Sequence, residues 1–161
     1  MNDVRRVAII GGNRIPFARS NTIYSKASNQ EMLTVTLQGL VDRFNLHNAC
    51  IGEVAGGAVM KHSKDFNLVR ESVLSTSLAP ETPAFDLQQA CGTGLEACIL
   101  VANKIALGQI ESGIACGVDT TSDAPIAINE KMRRILLQVN GAKSTGQRLS
   151  ILSKLRPSML F

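Results

Sequence analysis

No apolar run in this sequence reaches the roughly 20 residues that a membrane-crossing helix needs, so no helical span is expected. Tryptophan is absent, tyrosine occurs once, and aromatic residues make up 4% of the chain. The only two histidines, His47 and His62, have no ligand-like spacing to any cysteine. The four cysteines, at 50, 91, 98 and 116, include no CxxC pair, so no metal site is expected. The amino terminus, MNDVRRVAIIGG, enters what reads as a strand at once. That leaves no room for the charged segment, apolar stretch and cleavage site of a secretory signal. With no such signal and with apolar neighbours, three of the cysteines are expected to be buried small hydrophobes, and the cytoplasm is the expected address.

What remains has the composition of an α/β protein: 45% hydrophobic, 19% charged and 13 glycines in 161 residues. A compact chain of this size buries roughly 68–70% of the surface its unfolded form exposes, enough for one domain. The charge is uneven. Residues 126–161 hold seven basic side chains (Lys131, Arg133, Arg134, Lys143, Arg148, Lys154 and Arg156) against one acid, Glu130. Removing these from the totals of 17 and 13 leaves ten basic and twelve acidic groups before residue 126, a body near −2 and a tail near +6. Such asymmetry suits a tail that meets phosphate or another acidic surface; a solvated helical face accounts for it equally well.

Along the chain, VRRVAII (4–10) reads as a strand closed by Gly11-Gly12. Ser28 and Glu31 have capping-box spacing. Leu33, Leu37, Leu40, Val41 and Phe44 then mark one helical face. IGEVAGGAVM (51–60) reads as a strand over which something packs closely. Phe66, Val69 and Val73 start a second helical face that ends before Pro80, and AFDLQ (84–88) is a short strand. A long apolar helix follows, stopping near Gly108, a suitable C-terminal cap. IESGIACGVD (110–119) reads as another buried strand. Strand and helix alternating in this way predict an α/β domain with a mostly parallel sheet. The helix after Cys91 has no broad polar face, so burial on most sides is expected, between two layers of which this chain supplies one. Beyond Asp123, Ile128, Met132, Ile135, Leu136 and Val139 give another helical face, NGAKSTGQ interrupts it, and RLSILSKLR forms a short basic amphipathic segment before Pro157. The final SMLF reads as a chain cut rather than finished.

The chemistry concentrates at FDLQQACGTGLEACIL, where a strand, a cysteine, two glycines and a helix meet. The thiolate is the reactive form of cysteine, and the unpaired N–H groups of a helix's first turn favour it. Gly92 and Gly94 clear side chains from that turn, so a substrate carbonyl can approach and meet backbone donors. The plainer alternative is that Cys91 packs and that the glycines allow tight strand–helix contact.

LQQACGTGLEA resembles the acyl-enzyme signature of thiolases, in which a cysteine heads the buried central helix. NRIPFARS (13–20) resembles the turn after that family's first strand, departing at Ile15 and Ala18. IACGVDTTSDAP (114–125) is similar to the segment leading into its loop domain. The resemblance covers most of residues 1–125. It implies a thiolase-like fold in which this chain is one βαβαβαβ half with a mostly parallel sheet and a buried central helix. Residues 1–122 would form that half and 123–161 a partial, basic, mainly helical loop domain, with the C-terminal half absent. It also implies acyl transfer. Cys91 attacks the keto carbonyl of a 3-ketoacyl-CoA, acetyl-CoA leaves, and a second CoA accepts the shortened acyl group; the reverse is Claisen condensation. The Cys91 N–H would help form an oxyanion hole. Gln88, where asparagine is common, puts local hydrogen bonding in question. Cys98, where a branched aliphatic is usual, lies about 10 Å along the helix from Cys91 and is no partner for it.

By the same resemblance, Arg133, Arg134, Arg148 and Lys154 are candidates for contacts to CoA phosphates. The implied partners are acyl-CoA and CoA, with coenzyme A as substrate and no further cofactor. A homodimer or larger oligomer of the full-length protein and a β-oxidation partner subunit are also implied; no nucleic acid is. The family's activating histidine and second cysteine sit in Gly-His-Pro and Cys-x-Gly-Gly-Gly motifs, and neither occurs in this sequence. His47 and His62 are expected at the surface instead. An N-terminal fragment of an enzyme and a non-catalytic interaction module therefore both stay open. A dinucleotide-binding reading of IIGGNRIP does not, because Pro16 and a loop stand where a helix must open.

Overall fold

A computed structural model of the chain describes residues 4–156 and Met159. Its internal contacts divide it into two units, Met1–Pro125 and Ile126–Phe161. In the first, β1 (Val54–Gly56) pairs in parallel with β2 (Ala84–Asp86) on one side and β3 (Ile114–Ala115) on the other. The sheet order is thus β2-β1-β3. The small residues of β1 are all buried, as a central strand covered on both faces requires.

Helix α1 (Asn29–Phe44) begins where its capping box says it should. The Ser28 hydroxyl accepts the Glu31 N–H at 3.2 Å, and the Glu31 carboxylate accepts the Ser28 N–H at 2.8 Å. The Ser28 N–H bond, with a second from the Ser28 hydroxyl at 2.9 Å, holds the Glu31 carboxyl below its ordinary pKa. Leu33, Leu37 and Val41 face inward from this helix, as their spacing predicts, and Met32 joins them. Helix α2 (Leu68–Leu74) adds Leu68, Val69 and Val73, and together with Val54 these side chains form the larger core cluster. Phe66, expected to start that helical face, precedes the helix and is 80% exposed. Its place is taken by Leu68.

Helix α3 (Thr93–Ala106) crosses the other side of the sheet, where Ala97 and Val101 pack with Ala55 in a second, smaller cluster. Gly108 ends it in a left-handed turn at φ +71, its N–H bonding the Ile105 carbonyl and the Gln109 N–H that of Lys104. This is the Schellman arrangement that glycine makes easy. The expected burial on most sides is not met. Leu95, Cys98, Ile99 and Leu107 stay exposed because nothing within this unit covers the helix face opposite the sheet.

The strand expected over residues 4–10 does not form, and Val4, Val7, Ile9 and Ile10 are exposed. A strand needs a hydrogen-bonded neighbour. Here the segment is held by Arg5, whose N–H donates to the Ala106 carbonyl at 3.1 Å and whose guanidinium meets Glu111 at 2.6 Å. An open cleft of about 910 Å³ is lined by residues 6–13, by residues 111–117 and by apolar side chains of α1 and α3. Among the described residues no backbone hydrogen bond joins residues 6–13 to β3; both line this cleft.

The second unit consists of α4 (Glu130–Gly141), capped by the Asn129 side chain, and α5 (Thr145–Leu152), capped by Ser144. The break between them falls within the predicted NGAKSTGQ interruption. The expectations for Pro157 and for the chain end at 158–161 lie outside the described residues, Met159 excepted.

Leu33 is 1% exposed at the centre of the larger cluster. Leu33→Ala is expected to lower the unfolding free energy by about 2–5 kcal/mol, from lost transfer energy plus an incompletely filled cavity. Urea denaturation followed by far-UV circular dichroism measures it.

Candidate active site

Because the three strands run parallel, their carboxyl ends open on one edge of the sheet, where ligands of such sheets bind. Three loops meet there: 57–62 after β1, 87–92 after β2 and 117–123 after β3. Polar contacts, exposed at Asp119 and half-buried at Asn29 and Asp86, fix their positions. The Asp119 carboxylate accepts the N–H groups of Val59 and Met60, each at 2.9 Å, which ties the β1 loop to the end of β3. Asn29, at the start of α1, donates to the Met60 carbonyl at 2.7 Å. Asp86, the last residue of β2, accepts from Leu68 N at 3.2 Å and Val69 N at 2.7 Å and pairs with Lys61 at 2.8 Å. One carboxylate thereby caps α2 and anchors the β1 loop.

Between β2 and α3 the chain makes a tight reversal. Leu87 N–H still reaches the Gly56 carbonyl at 2.8 Å, extending the parallel pairing by one bond. Ala90 then adopts φ +45, a left-handed conformation that costs a residue with a Cβ about 1–2 kcal/mol. The Gly92 N–H closes on the Gln89 carbonyl at 2.9 Å and the Thr93 N–H on the Ala90 carbonyl at 3.2 Å. Cys91 stands at this reversal and is exposed. Among the described residues no acceptor is found for the N–H of Cys91 or of Gly94. An exposed cysteine at a helix start, with N–H groups there that have no acceptor among the described residues, is an arrangement in which a carbonyl approaching the thiol can meet backbone donors.

One glycine makes room for the reversal. A Cβ on Gly57 would strike the Leu87 carbonyl oxygen and come within 3.2 Å of the Thr93 methyl. At Gly117 a Cβ would make only ordinary contact, 3.6 Å from the Gly94 Cα. The expected close packing over residues 51–60 is real, and it is the β2–α3 junction that packs there.

The other cysteines depart from expectation. Cys50 lies exposed in the loop before β1, and Cys98 is exposed on the uncovered face of α3, at the cleft. Only Cys116, beside Gly56, resembles a buried hydrophobe. Burial pushes its thiol up to about 12, with the Asp86 carboxylate adding in the same direction, and it donates weakly to the Ala55 carbonyl at 3.5 Å. His47 lies at the surface between Ser77 and Asp42. His62 is half-buried, its Nε2 at 2.9 Å from the Asp123 carbonyl oxygen and 3.2 Å from that residue's carboxylate. Gln88 makes one long contact, Nε2 to the Val59 carbonyl at 3.4 Å.

In the second unit the candidate phosphate ligands differ in availability. Glu130 accepts from Arg133 at 2.7 and 2.9 Å and from Arg134 at 2.9 Å, and these guanidiniums hold its carboxyl down near pKa 2. The Arg148 Nε donates to the Ala142 carbonyl at 3.2 Å, and Lys154 is exposed just past α5. Among the described residues no group of His, Cys, Asp and Glu is placed to hold a metal ion. The parts sequence reasoning missed are Ala90, Thr93, Asp86 and Asp119. An acid at or shortly past the end of a strand was a readable signal for the last two; a left-handed alanine leaves none.

The family profile described as "Thiolase, N-terminal domain" matches residues 7–153. The chain is 35% identical over 151 residues to a 3-ketoacyl-CoA thiolase from Escherichia fergusonii, covering 94% of this chain and 35% of that protein. It is 34% identical over 158 residues to the mitochondrial trifunctional enzyme subunit beta of Homo sapiens, covering 98% and 33% respectively. Thus the chain spans about a third of the length of these curated relatives. Among solved structures it is similar to the Bacillus anthracis acetyl-CoA acetyltransferase, with a TM-score of 0.65 and 22% identity over 74% of this chain and 29% of that one. That likeness supports the fold.

Native Cys116 keeps a proton that the unfolded chain, with an ordinary value of 9.0, releases. Stability is therefore expected to fall as pH rises from about 9 toward 12, since the unfolded state binds fewer protons there. Cys116→Ala removes that component of the slope, which denaturant titrations of both proteins between pH 8 and about 10.5 measure as a difference.

Proposed function

The chain belongs to the thiolase family, and from that premise we propose that Cys91 is the acyl-carrying nucleophile of an acyl-CoA acyltransferase. The observation that carries the reading is an exposed Cys91 at a helix start, at the carboxyl edge of a parallel sheet, where the Cys91 and Gly94 N–H groups have no acceptor among the described residues. In thiolysis the Cys91 sulfur adds to the keto carbon of a 3-ketoacyl-CoA, and the Cys91 N–H supports the developing oxyanion. The bond between C2 and C3 then breaks. The acyl group stays on sulfur as a thioester, and the departing acetyl-CoA carbanion takes up a proton. A second CoA thiol receives the acyl group and frees Cys91. Splitting carbon–carbon cleavage into two transfers lowers each barrier.

The two proton transfers need groups that these 161 residues do not contribute in thiolase-like form, since Gly-His-Pro and Cys-x-Gly-Gly-Gly are absent. The whole reaction is therefore assigned to a longer protein in which this chain provides the acyl acceptor. The basic second unit supports a further part of the reading. Lys154 and Arg148, followed by Arg133 and Arg134 once released from Glu130, are proposed to contact the phosphates of CoA. The name of one relative, a subunit beta, suggests that such a protein works within a larger assembly.

Two measurements test these assignments. With limiting iodoacetamide near neutral pH, mass spectrometry is expected to find Cys91 alkylated ahead of Cys50 and Cys98, with Cys116 last. The same chain is expected to show no thiolysis of acetoacetyl-CoA. Equal labelling of Cys91, Cys50 and Cys98 removes the nucleophile assignment. In a full-length protein carrying this segment, Lys154→Glu or Arg148→Glu is expected to raise KM for CoA substrates about tenfold, the worth of one charge-assisted phosphate contact. An unchanged KM rejects the phosphate role.

A further inference from the structure

We infer that Thr93 is a positioning residue for Cys91, a role that rests on reading Cys91 as the acyl acceptor. Ala90, directly before the cysteine, is held at φ +45, where an alanine does not rest by preference. The surrounding structure must impose that conformation. Thr93 supplies the restraint. Its hydroxyl oxygen accepts the Gln89 N–H at 2.9 Å, while the hydroxyl proton goes to the Ala90 carbonyl at 2.7 Å. Its own N–H reaches that same carbonyl at 3.2 Å. One side chain therefore bridges the two peptides before Cys91 and closes a ring around it.

Thr93 is itself only 4% exposed, although Gln89, Ala90 and Cys91 are exposed. Its methyl group faces the narrow space beside Gly57. The side chain thus works as a buried anchor for an exposed reversal. The methyl fixes Thr93 against β1, and the hydroxyl fixes Gln89 and Ala90 against Thr93. Both are needed for Cys91 to leave the extended path of β2 with its sulfur outward and its N–H unpaired. Without the hydroxyl, the Gln89 N–H loses its acceptor and the Ala90 carbonyl keeps only the 3.2 Å bond from the Thr93 N–H, so the return of Ala90 to negative φ is opposed less.

The two halves of the threonine can be separated. Thr93→Val keeps the packing shape and loses both hydroxyl bonds; Thr93→Ser keeps the bonds and loses the methyl. Alkylation of Cys91 by iodoacetamide, divided by that of Cys98 on the same chain, is the readout, with a thermal melt on each variant. Thr93→Val is expected to lower the ratio about tenfold, which corresponds to one hydrogen-bond-sized change in the barrier. Thr93→Ser is expected to keep the ratio within about twofold while melting at lower temperature, because stability follows the methyl and reactivity the hydroxyl. Ala90→Gly in the Thr93→Val background takes the left-handed conformation without strain. It is expected to restore at least half of the ratio, and it carries the test should Thr93→Val alone fail to fold. A ratio unchanged in Thr93→Val, or unrecovered in the double variant, overturns the positioning role while leaving Cys91 as nucleophile. A wild-type ratio near one instead overturns the nucleophile assignment, and the positioning role falls with it.

Discussion

Parallel pairing of β1 with both β2 and β3 brings the ends of all three strands to one edge of the sheet, and the rest of the first unit follows from that. The backbone bonds past the strand ends, Leu87 to Gly56 and Val118 to Gly57, carry the pairing into the loops and fix how closely they approach. Side chains must then be small where backbone meets backbone, and Gly57 occupies such a position, where a Cβ would strike the Leu87 carbonyl oxygen. Asp86 and Asp119 use the same edge, each turning a carboxylate onto backbone N–H groups that the loops leave unpaired. Charge-assisted bonds of this type are about twice as strong as neutral ones, which suits them to holding loops that have no regular structure.

Cys91 and Cys116 show how far local surroundings separate two identical side chains. Cys116 lies next to β1 with its thiol held near a backbone carbonyl, and burial raises its pKa until it stays protonated across the physiological range. Cys91 lies beyond a strand end, directly after the left-handed Ala90, and is exposed, with no acceptor for its N–H among the described residues. The contrast is one of backbone direction. A strained left-handed residue before one cysteine exposes it, and regular parallel pairing beside the other encloses it. Strain retained at such a position is characteristic of functional sites, where surrounding structure over-determines an unfavourable conformation.

Two apolar surfaces remain uncovered within the first unit: the outer face of α3, and residues 4–10 beside the cleft. Their pattern is that of interior elements. Leu95, Ile99 and Leu107 repeat at helical spacing, and VAII is an uninterrupted apolar run. In the second unit the balance differs, because the lone acid Glu130 already neutralises part of the basic excess through Arg133 and Arg134. Its positive field is therefore weighted toward α5 and the residues after it.

The start of α1, the end of α3, the inward face of α1 and the alternation of helices with the three paired strands were legible in the sequence. Each rests on interactions between residues a few positions apart: the Ser28–Glu31 box, the Leu33–Leu37–Val41 spacing, Gly108 after the last turn. Tertiary structure alone decided the rest. Whether VRRVAII becomes a strand depends on a neighbour within bonding distance, and whether Cys98 is buried depends on a layer over α3; neither condition is written in the residues concerned. Ala90 is mixed: Thr93 restrains it from three residues away, while the Thr93 methyl is itself seated beside Gly57, a contact between distant segments. Local sequence sets which conformations are inexpensive, while contacts between distant segments determine which costly ones persist.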